Sequence, residues 1–322
     1  MTLTTILFFV GFFILVSGAK TVVKGALALS RRLNLSRWVV GLVIVGVGTS
    51  LPELSIALYG NLTGEGAIAL GTIVGSNTFN ILFILGLAAF LMPLRVNGAA
   101  ARRDILLNLL AVITTLLLAS FAVFDDSNFF GITRWEGLVL IILFLLWFRY
   151  AILQPNHDHY LDGKEERAAR LVALPIALGT VLLGIVGVVL GGNWVVNGAE
   201  VFARALGMSE AFIALTIVGA GTSLPELSVS VAAALRREPK LAVGNIIGSN
   251  VFDFLGILGL VSLIKPVVFP ERLTLDIAVT IGALVVLLTA THWGQKATIT
   301  RREGSIFLLL YVAYIVFLLL RG

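Results

Sequence analysis

The sequence predicts an all-α polytopic membrane protein: ten transmembrane helices arranged as two inverted five-helix repeats. Three observations support this: the chain is too apolar for a soluble domain, it divides into runs long enough to cross a bilayer, and its halves resemble each other. Apolar residues make up 58% of the chain and charged residues 13%, against roughly 45–50% and 25% in soluble globular domains. The mean hydropathy is +1.03, which leaves almost no room for a soluble domain. Cysteine is absent, so disulfides, thiolate metal sites and cysteine nucleophiles are excluded. The formal charge of +5 is read as a property of cytoplasmic loops rather than a sign of nucleic-acid binding.

A helix needs about 20 residues to span the hydrocarbon core. Ten segments qualify, at about 3–29, 37–60, 66–91, 105–123, 134–152, 171–202, 210–235, 241–264, 274–292 and 303–320. Each is apolar on all sides instead of alternating, so helices are expected and barrel strands are not. The first segment has no positive residue ahead of its apolar run, as a signal peptide would. Its Lys20-Thr21-Val22-Val23-Lys24-Gly25-Ala26 also matches Asn193-Trp194-Val195-Val196-Asn197-Gly198-Ala199 inside the chain. It is therefore read as a retained helix.

That match belongs to a long internal repeat. Residues 37–94 align without a gap on 210–267 at an offset of 173, with 27 identities in 58 positions. The repeats are assigned to 1–153 and 171–322, joined by a short polar cytoplasmic connection at 154–170. An odd number of helices per repeat reverses the direction of equivalent helices, so the halves are inverted about an axis in the membrane plane. Secondary transporters use this plan, with substrate near the midplane. With both termini outside, 18 Lys and Arg fall on the inner face and 5 on the outer, the bias that the positive-inside rule requires.

The chemistry lies in two polar clusters per repeat. Gly46-Val47-Gly48-Thr49-Ser50-Leu51-Pro52-Glu53 recurs as Gly219-Ala220-Gly221-Thr222-Ser223-Leu224-Pro225-Glu226. Gly75-Ser76-Asn77-Thr78-Phe79-Asn80 recurs as Gly248-Ser249-Asn250-Val251-Phe252-Asp253. Pro52 and Pro225 each lack an N–H and obstruct the carbonyl four residues earlier, so the helix kinks or breaks there. Loose backbone is tolerated at membrane depth where it lines a polar cavity. Carbonyls, hydroxyls and a carboxylate within two turns form an all-oxygen environment suited to hard cations such as Ca²⁺. Ser76 and Asn80 share a helical face, as do Ser249 and Asp253. Three acids, Glu53, Glu226 and Asp253, would be prohibitive in hydrocarbon unless cations or protons neutralise them. Such a site is rarely empty, which is the electrostatic basis of obligatory exchange.

Other polar residues have blander readings. Ser55, Ser228, Thr72 and Asn245 are divided between helix packing and the site. Asn77 and Asn250, on a neighbouring face, are expected to satisfy freed backbone groups. Asp104, Asp276, Glu136 and Glu303 sit near helix ends, where capping or snorkelling accounts for them.

At the duplicated Gly-Thr-Ser-Leu-Pro-Glu and Gly-Ser-Asn motifs the chain resembles the cation/Ca²⁺ exchanger superfamily, in particular prokaryotic sodium/calcium antiporters with two α-repeats. The resemblance covers both repeats. It implies Na⁺-driven Ca²⁺ exchange by alternating access in a prokaryotic cell (inner) membrane, with sites in the second, third, seventh and eighth helices. By motif position, Glu53 and Glu226 would hold Ca²⁺ and share in Na⁺ binding, with Thr49 and Thr222 mainly at the Ca²⁺ site. Ser50 and Ser76 match ligands of an inner Na⁺ site, and Ser223 and Ser249 those of an outer one. Gly46 and Gly219 stand where backbone carbonyls coordinate Na⁺, and Asn80 and Asp253 line the middle. Ca²⁺ and Na⁺ are thus transported ions; no cofactor, nucleic acid or enzymatic activity is expected, and the monomer is the expected functional unit. The chain lacks the large Ca²⁺-sensing domain of animal relatives, so no such regulation is expected.

Four alternatives compete. H⁺/Ca²⁺ exchange would replace Na⁺ by protonation of the carboxylates, and a K⁺-dependent variant would co-transport K⁺. An aspartyl-type intramembrane protease needs two Asp sharing a proton, whereas the duplicated acids here are Glu. A passive channel fits poorly with two inverted halves.

Overall fold

The long apolar runs form helices because no other backbone can satisfy its hydrogen bonds internally in lipid. The structure, a computed structural model, describes residues 2–64, 66–95, 98–121, 130–155, 172–207, 219–270, 273–293 and 298–321. In chain order the helices are α1 (Thr2–Arg32), α2 (Arg37–Thr49), α3 (Leu51–Thr63), α4 (66–91), α5 (Gly98–Phe121) and α6 (Arg134–Ile152). They continue with α7 (Leu174–Ala205), α8 (Gly219–Gly221), α9 (Leu224–Leu235), α10 (Pro239–Ile264), α11 (Leu273–Trp293) and α12 (Arg301–Arg321). Among the described residues, eight helices are long and apolar enough to cross a membrane, or nine when α2 and α3 count as one span bent by 42°. Helix α9 is apolar but shorter. The first part of the expected seventh segment and most of the 154–170 connection lie outside the described residues. The expected fourth segment starts earlier than its apolar run suggested, at Gly98, so Arg102, Arg103 and Asp104 belong to α5.

Helices α4 and α10 form the centre: 78% and 83% of their apolar windows are buried, against 17–44% for the other spans. They can be so enclosed because their neighbours approach at glycine. A Cβ at Gly248 would fall 1.8 Å from the Leu42 carbonyl oxygen, and one at Gly46 would fall 2.7 Å from the Ser249 nitrogen, so α2 lies backbone-to-backbone on α10. The outer helices cross over between halves. Gly137 of α6 meets Gly259 of α10, and at the equivalent place Gly304 of α12 meets Gly86 of α4. Small residues let helices pack closely where lipid supplies no hydrophobic drive.

Four two-residue strands join the ends. Strand β1 (Leu94–Arg95) pairs antiparallel with β4 (Thr298–Ile299), and β2 (Gly131–Ile132) pairs with β3 (Val267–Val268). Both pairings join one repeat to the other. Beside them, Glu136 and Glu303 close their helix starts: Glu136 accepts from the Thr133 N–H at 2.8 Å, and Glu303 from the Thr300 N–H at 2.6 Å. These are capping contacts, as expected. Asp104 and Asp276 do something else. Asp104 accepts from Trp38 Nε1 at 2.7 Å, while Asp276 accepts from Tyr314 at 3.0 Å and pairs with Arg321 at 2.9 Å.

Helices α1 and α7 lie side by side across the broken helices. Gly11, Gly18 and Gly25 are spaced by seven along α1, as are Gly184, Gly191 and Gly198 along α7. A Cβ at Gly18 would lie 2.8 Å from the Val188 nitrogen, at Gly25 2.8 Å from the Val181 nitrogen, and at Gly191 2.5 Å from the Leu15 nitrogen. Rising numbers on one helix meet falling numbers on the other, so the pair is antiparallel. A seven-residue period keeps one seam in contact along both helices.

Candidate ion-binding site

Each proline breaks its helix where the sequence places it. Helix α2 ends at Thr49; Ser50 leaves the helical region at φ −82°, ψ 12°, and α3 restarts at Leu51 with Pro52 in its first turn. In the second half Ser223 has φ −88°, ψ 10°, and α9 restarts at Leu224 with Pro225 in the same position. Glu53 and Glu226 therefore fall in the first turns of half-helices, where the positive dipole end favours a carboxylate. The facing ends, after Thr49 and Gly221, expose carbonyls that no proline N–H can satisfy.

The second clusters lie on α4 and α10, each just ahead of or within a π-helical turn, at Phe79–Ile84 and Phe252–Ile257. These turns occupy equivalent repeat positions, and Asn80 and Asp253 accept bonds from the N–H five residues later. A third π turn, Val40–Val45, leads into Gly46. Such turns insert an extra residue and re-aim side chains, and they recur at functional sites.

The two halves meet through reciprocal contacts. Ser50 donates to Glu226 Oε1 at 3.2 Å, and Ser223 donates to Glu53 Oε1 at 3.4 Å. Asn77 donates to Asp253 Oδ2 at 2.8 Å, and the equivalent pair is Asn80 to Asn250 Oδ1 at 3.0 Å. Ser76 adds a bond to Asp253 Oδ2 at 3.3 Å. Ser249 reaches the Gly46 carbonyl at 3.1 Å and Glu226 Oε1 at 3.5 Å, and shares a 3.4 Å contact with the Thr49 hydroxyl. Glu53, Glu226, Asp253, Asn80, Thr49, Ser50, Ser76, Ser223 and Ser249 are all buried. Thr222 sits in the second break, its hydroxyl without a partner among the described residues. Gly219 lies in the short α8, and no carbonyl contact of it is described.

Two readings of single residues change. Asn77 does bond backbone, the Ile73 carbonyl at 2.7 Å, but it also bridges to Asp253, and Asn250 receives Asn80. Both belong to the cluster instead of a neighbouring face, and their identical recurrence in Gly75-Ser76-Asn77 and Gly248-Ser249-Asn250 was the available signal. Asn245 also joins it, accepting from Thr49 at 3.2 Å and donating to the Glu226 carbonyl at 3.4 Å. Its repeat equivalent is Thr72, so duplication gave no pointer. Ser55 and Ser228, by contrast, bond only local carbonyls.

The chemistry of the cluster follows from its unpaired atoms. Glu53 Oε2, Glu226 Oε2, Asp253 Oδ1, Asn77 Oδ1 and Asn80 Oδ1 are buried oxygens with no donor among the described residues. Among the described residues none of the three carboxylates has an ion pair; the salt bridges join Arg37 to Glu238, Arg204 to Glu200 and Arg321 to Asp276. Buried acceptors of this number are costly unless a cation or proton meets them. The carboxylates do not on their own form a metal-holding group, so neutral amide, hydroxyl and carbonyl oxygens must complete any shell. Mixed oxygen shells suit Ca²⁺ and other hard cations.

Broken helices that present carboxylates and carbonyls to one enclosed oxygen cluster define the class of an ion-coupled secondary transporter. The model of the sodium/calcium exchanger protein family matches residues 3–153 and 176–320, and the chain belongs to that family. It is 35% identical to CaxA of Alkalimonas amylolytica over 98% of both chains. It is also 28% identical to the sodium/calcium exchanger MaX1 of Methanosarcina acetivorans over 99% of both. Among solved structures, the sodium-calcium exchanger NCX_Mj soaked with Na⁺ and without Ca²⁺ superposes with a TM-score of 0.82 at 30% identity, over 98% of each chain.

Proposed function

We propose that the protein is a secondary active antiporter that exchanges Na⁺ for Ca²⁺ across a membrane by alternating access. The observation that carries this reading is the reciprocal cluster: Ser50 on Glu226, Ser223 on Glu53, and five buried carboxylate and amide oxygens without donors among the described residues. Glu53 and Glu226 would hold Ca²⁺ and share in Na⁺ binding, with Thr49 and Thr222 at the Ca²⁺ site. Ser50 and Ser76 would serve one flanking Na⁺ position, and Ser223 and Ser249 the other. The Gly46 and Gly219 carbonyls extend these positions, and Asn80 and Asp253 stand between them. Competition for one set of oxygens prevents Ca²⁺ and a full Na⁺ load from binding together.

The architecture of this reading is ten crossings in two inverted repeats, 1–153 and 171–322, with both termini extracytoplasmic. Reciprocity between equivalent contacts supports it, as does the pairing of β1 with β4 and of β2 with β3, which that topology puts on opposite membrane faces. The glycine seam packs α1 closely against α7, and in this reading the pair moves as one body against the rest. With an inward Na⁺ gradient and inside-negative potential, Ca²⁺ leaves the cell.

The test uses purified protein in Na⁺-loaded vesicles, with radioactive Ca²⁺ uptake measured with and without an outward Na⁺ gradient. Gradient-dependent uptake lost in Glu53→Gln and Glu226→Gln is expected. Uptake that ignores Na⁺, or that survives both substitutions, overturns the proposal. Uptake driven by a pH gradient in Na⁺-free medium would instead favour H⁺/Ca²⁺ exchange, and an added requirement for K⁺ the K⁺-dependent variant.

A further inference from the structure

Apart from the ion cluster, a cavity of about 600 Å³ opens between α5 and α6, floored by Leu255 of α10. Its mouth is flanked by Leu110 and Leu146, 47% and 58% exposed on the lipid-facing surface. Thr114 lies at one end, and Arg103, Tyr150 and Trp147 gather at the other. There the Arg103 guanidinium lies over the Tyr150 ring, 4.5 Å from its centroid. The neighbouring carboxylate, Asp104, turns the other way, to Trp38 and Gln154.

Two further groups at this end lack partners among the described residues. The Tyr150 hydroxyl and Trp147 Nε1 are buried with no hydrogen bond to any of them, and Trp147 is only 6% exposed. A buried donor in hydrocarbon costs several kcal/mol when unmet, so two beside a cation point to an acceptor that comes from outside the chain. The slot runs along α5 from Arg103 to Thr114, about 16 Å at helical rise, which is close to half of the ~30 Å hydrocarbon core. It is thus one leaflet deep, with Arg103, Tyr150 and Trp147 at the headgroup end and, apart from Thr114, apolar side chains below.

We propose that this slot binds one anionic phospholipid from the leaflet on the Arg103 side. The phosphate meets Arg103 and the Tyr150 hydroxyl. The ester carbonyl, about one helical turn deeper, accepts from Trp147 Nε1, and an acyl chain lies along Leu107 and Leu146. The chain end rests on Leu255, two residues past Asp253 in the π turn of α10, so the lipid backs the helix that carries the central acid. The site needs no assumption about which ions are transported.

The test is quenching of Trp147 by phospholipids brominated on the acyl chain, with the full-length protein in vesicles. The Trp147 signal is the difference between wild type and Trp147→Phe. Half-quenching is expected at about fivefold lower mole fraction of brominated phosphatidylglycerol than of brominated phosphatidylcholine, the preference one basic side chain provides. Arg103→Gln should abolish that preference, and Ala111→Phe, which fills the slot, should remove the quenching. Inorganic phosphate should not compete. Equal quenching by both lipids with no effect of Arg103→Gln would mean an ordinary interfacial aromatic belt and overturn the proposal, as would competition by inorganic phosphate or absence of quenching. Arg103→Gln lies near a helix end, so it keeps the test decisive if the filled variant does not fold.

Discussion

The Ser50 hydroxyl lies 3.2 Å from Glu226 Oε1, and its repeat equivalent Ser223 lies 3.4 Å from Glu53 Oε1. Each half therefore holds the other half's carboxylate, and neither owns a complete site. Any movement that separates the two broken helices breaks both contacts at once.

Removing either hydroxyl should weaken ion binding without dismantling the fold. Hydrogen bonds to charged groups contribute about 1.5–3 kcal/mol, so Ser50→Ala and Ser223→Ala should each raise the half-saturating ion concentration about tenfold or more. Ca²⁺ uptake titrated against Na⁺ and Ca²⁺ measures this. The double variant Ser50→Ala/Glu226→Gln should be less damaged than the sum of its parts, because both changes remove one contact.

Asp253→Asn should make the ion-free protein more heat-stable. The new amide keeps an oxygen for Ser76 and Asn77, removes one of three buried like charges, and reproduces the side chain found at Asn80. Replacing buried charges is often stabilising by about 1 kcal/mol or more. Apparent Tm in Na⁺- and Ca²⁺-free buffer should rise, and the further rise on adding Ca²⁺ should shrink. In wild type that rise should reach about 2.7 kcal/mol of stabilisation at 100 times Kd, and Glu226→Gln should lose it.

Gly248→Ala should be among the most damaging single-methyl additions in the chain, because its Cβ would sit 1.8 Å from the Leu42 carbonyl oxygen, which is backbone. A loss of ~3 kcal/mol is expected. Gly282→Ala is the control: nothing lies within 4 Å of its Cβ, and a helical glycine replaced by alanine should gain ~0.5–1 kcal/mol. Thermal melts of the two variants in detergent check the contrast.

Gly18→Val should separate binding from transport. A Cβ at Gly18 meets α7 backbone 2.8 Å away, which prises the α1–α7 seam apart but leaves the oxygen cluster untouched. Ca²⁺ should still raise the apparent Tm, while Na⁺-dependent uptake falls at least about tenfold, the effect of ~1.4 kcal/mol on the rate-limiting step.

Much of this site was legible because charge in hydrocarbon is costly enough to stand out. Glu53 and Glu226 were visible as acids beside prolines in apolar runs, and duplication tied Ser50, Ser76, Ser223, Ser249, Asn80 and Asp253 to them. The helix breaks fell where a missing N–H required. Less legible were Asn77, Asn250 and Asn245, whose roles depend on which helix faces which. The π turns at Asn80 and Asp253 left no sequence signal, since their extra residue is imposed by packing and not by local propensity.

The sequence by itself determined that the chain crosses a membrane, that its halves repeat, and that oxygen-bearing side chains accompany duplicated carboxylates. These follow from transfer energies and covalent constraints that each residue carries wherever it sits. Only the tertiary structure decided the pairing: Ser50 with Glu226, Asn77 with Asp253, Gly46 and Gly248 drawing α2 onto α10. It alone revealed the slot between α5 and α6. The hydrogen-bonded pairs join residues 176 positions apart and the Gly46 contact with Ser249 spans 203, and they arise from close packing at glycine, where the partner and not the residue sets the distance.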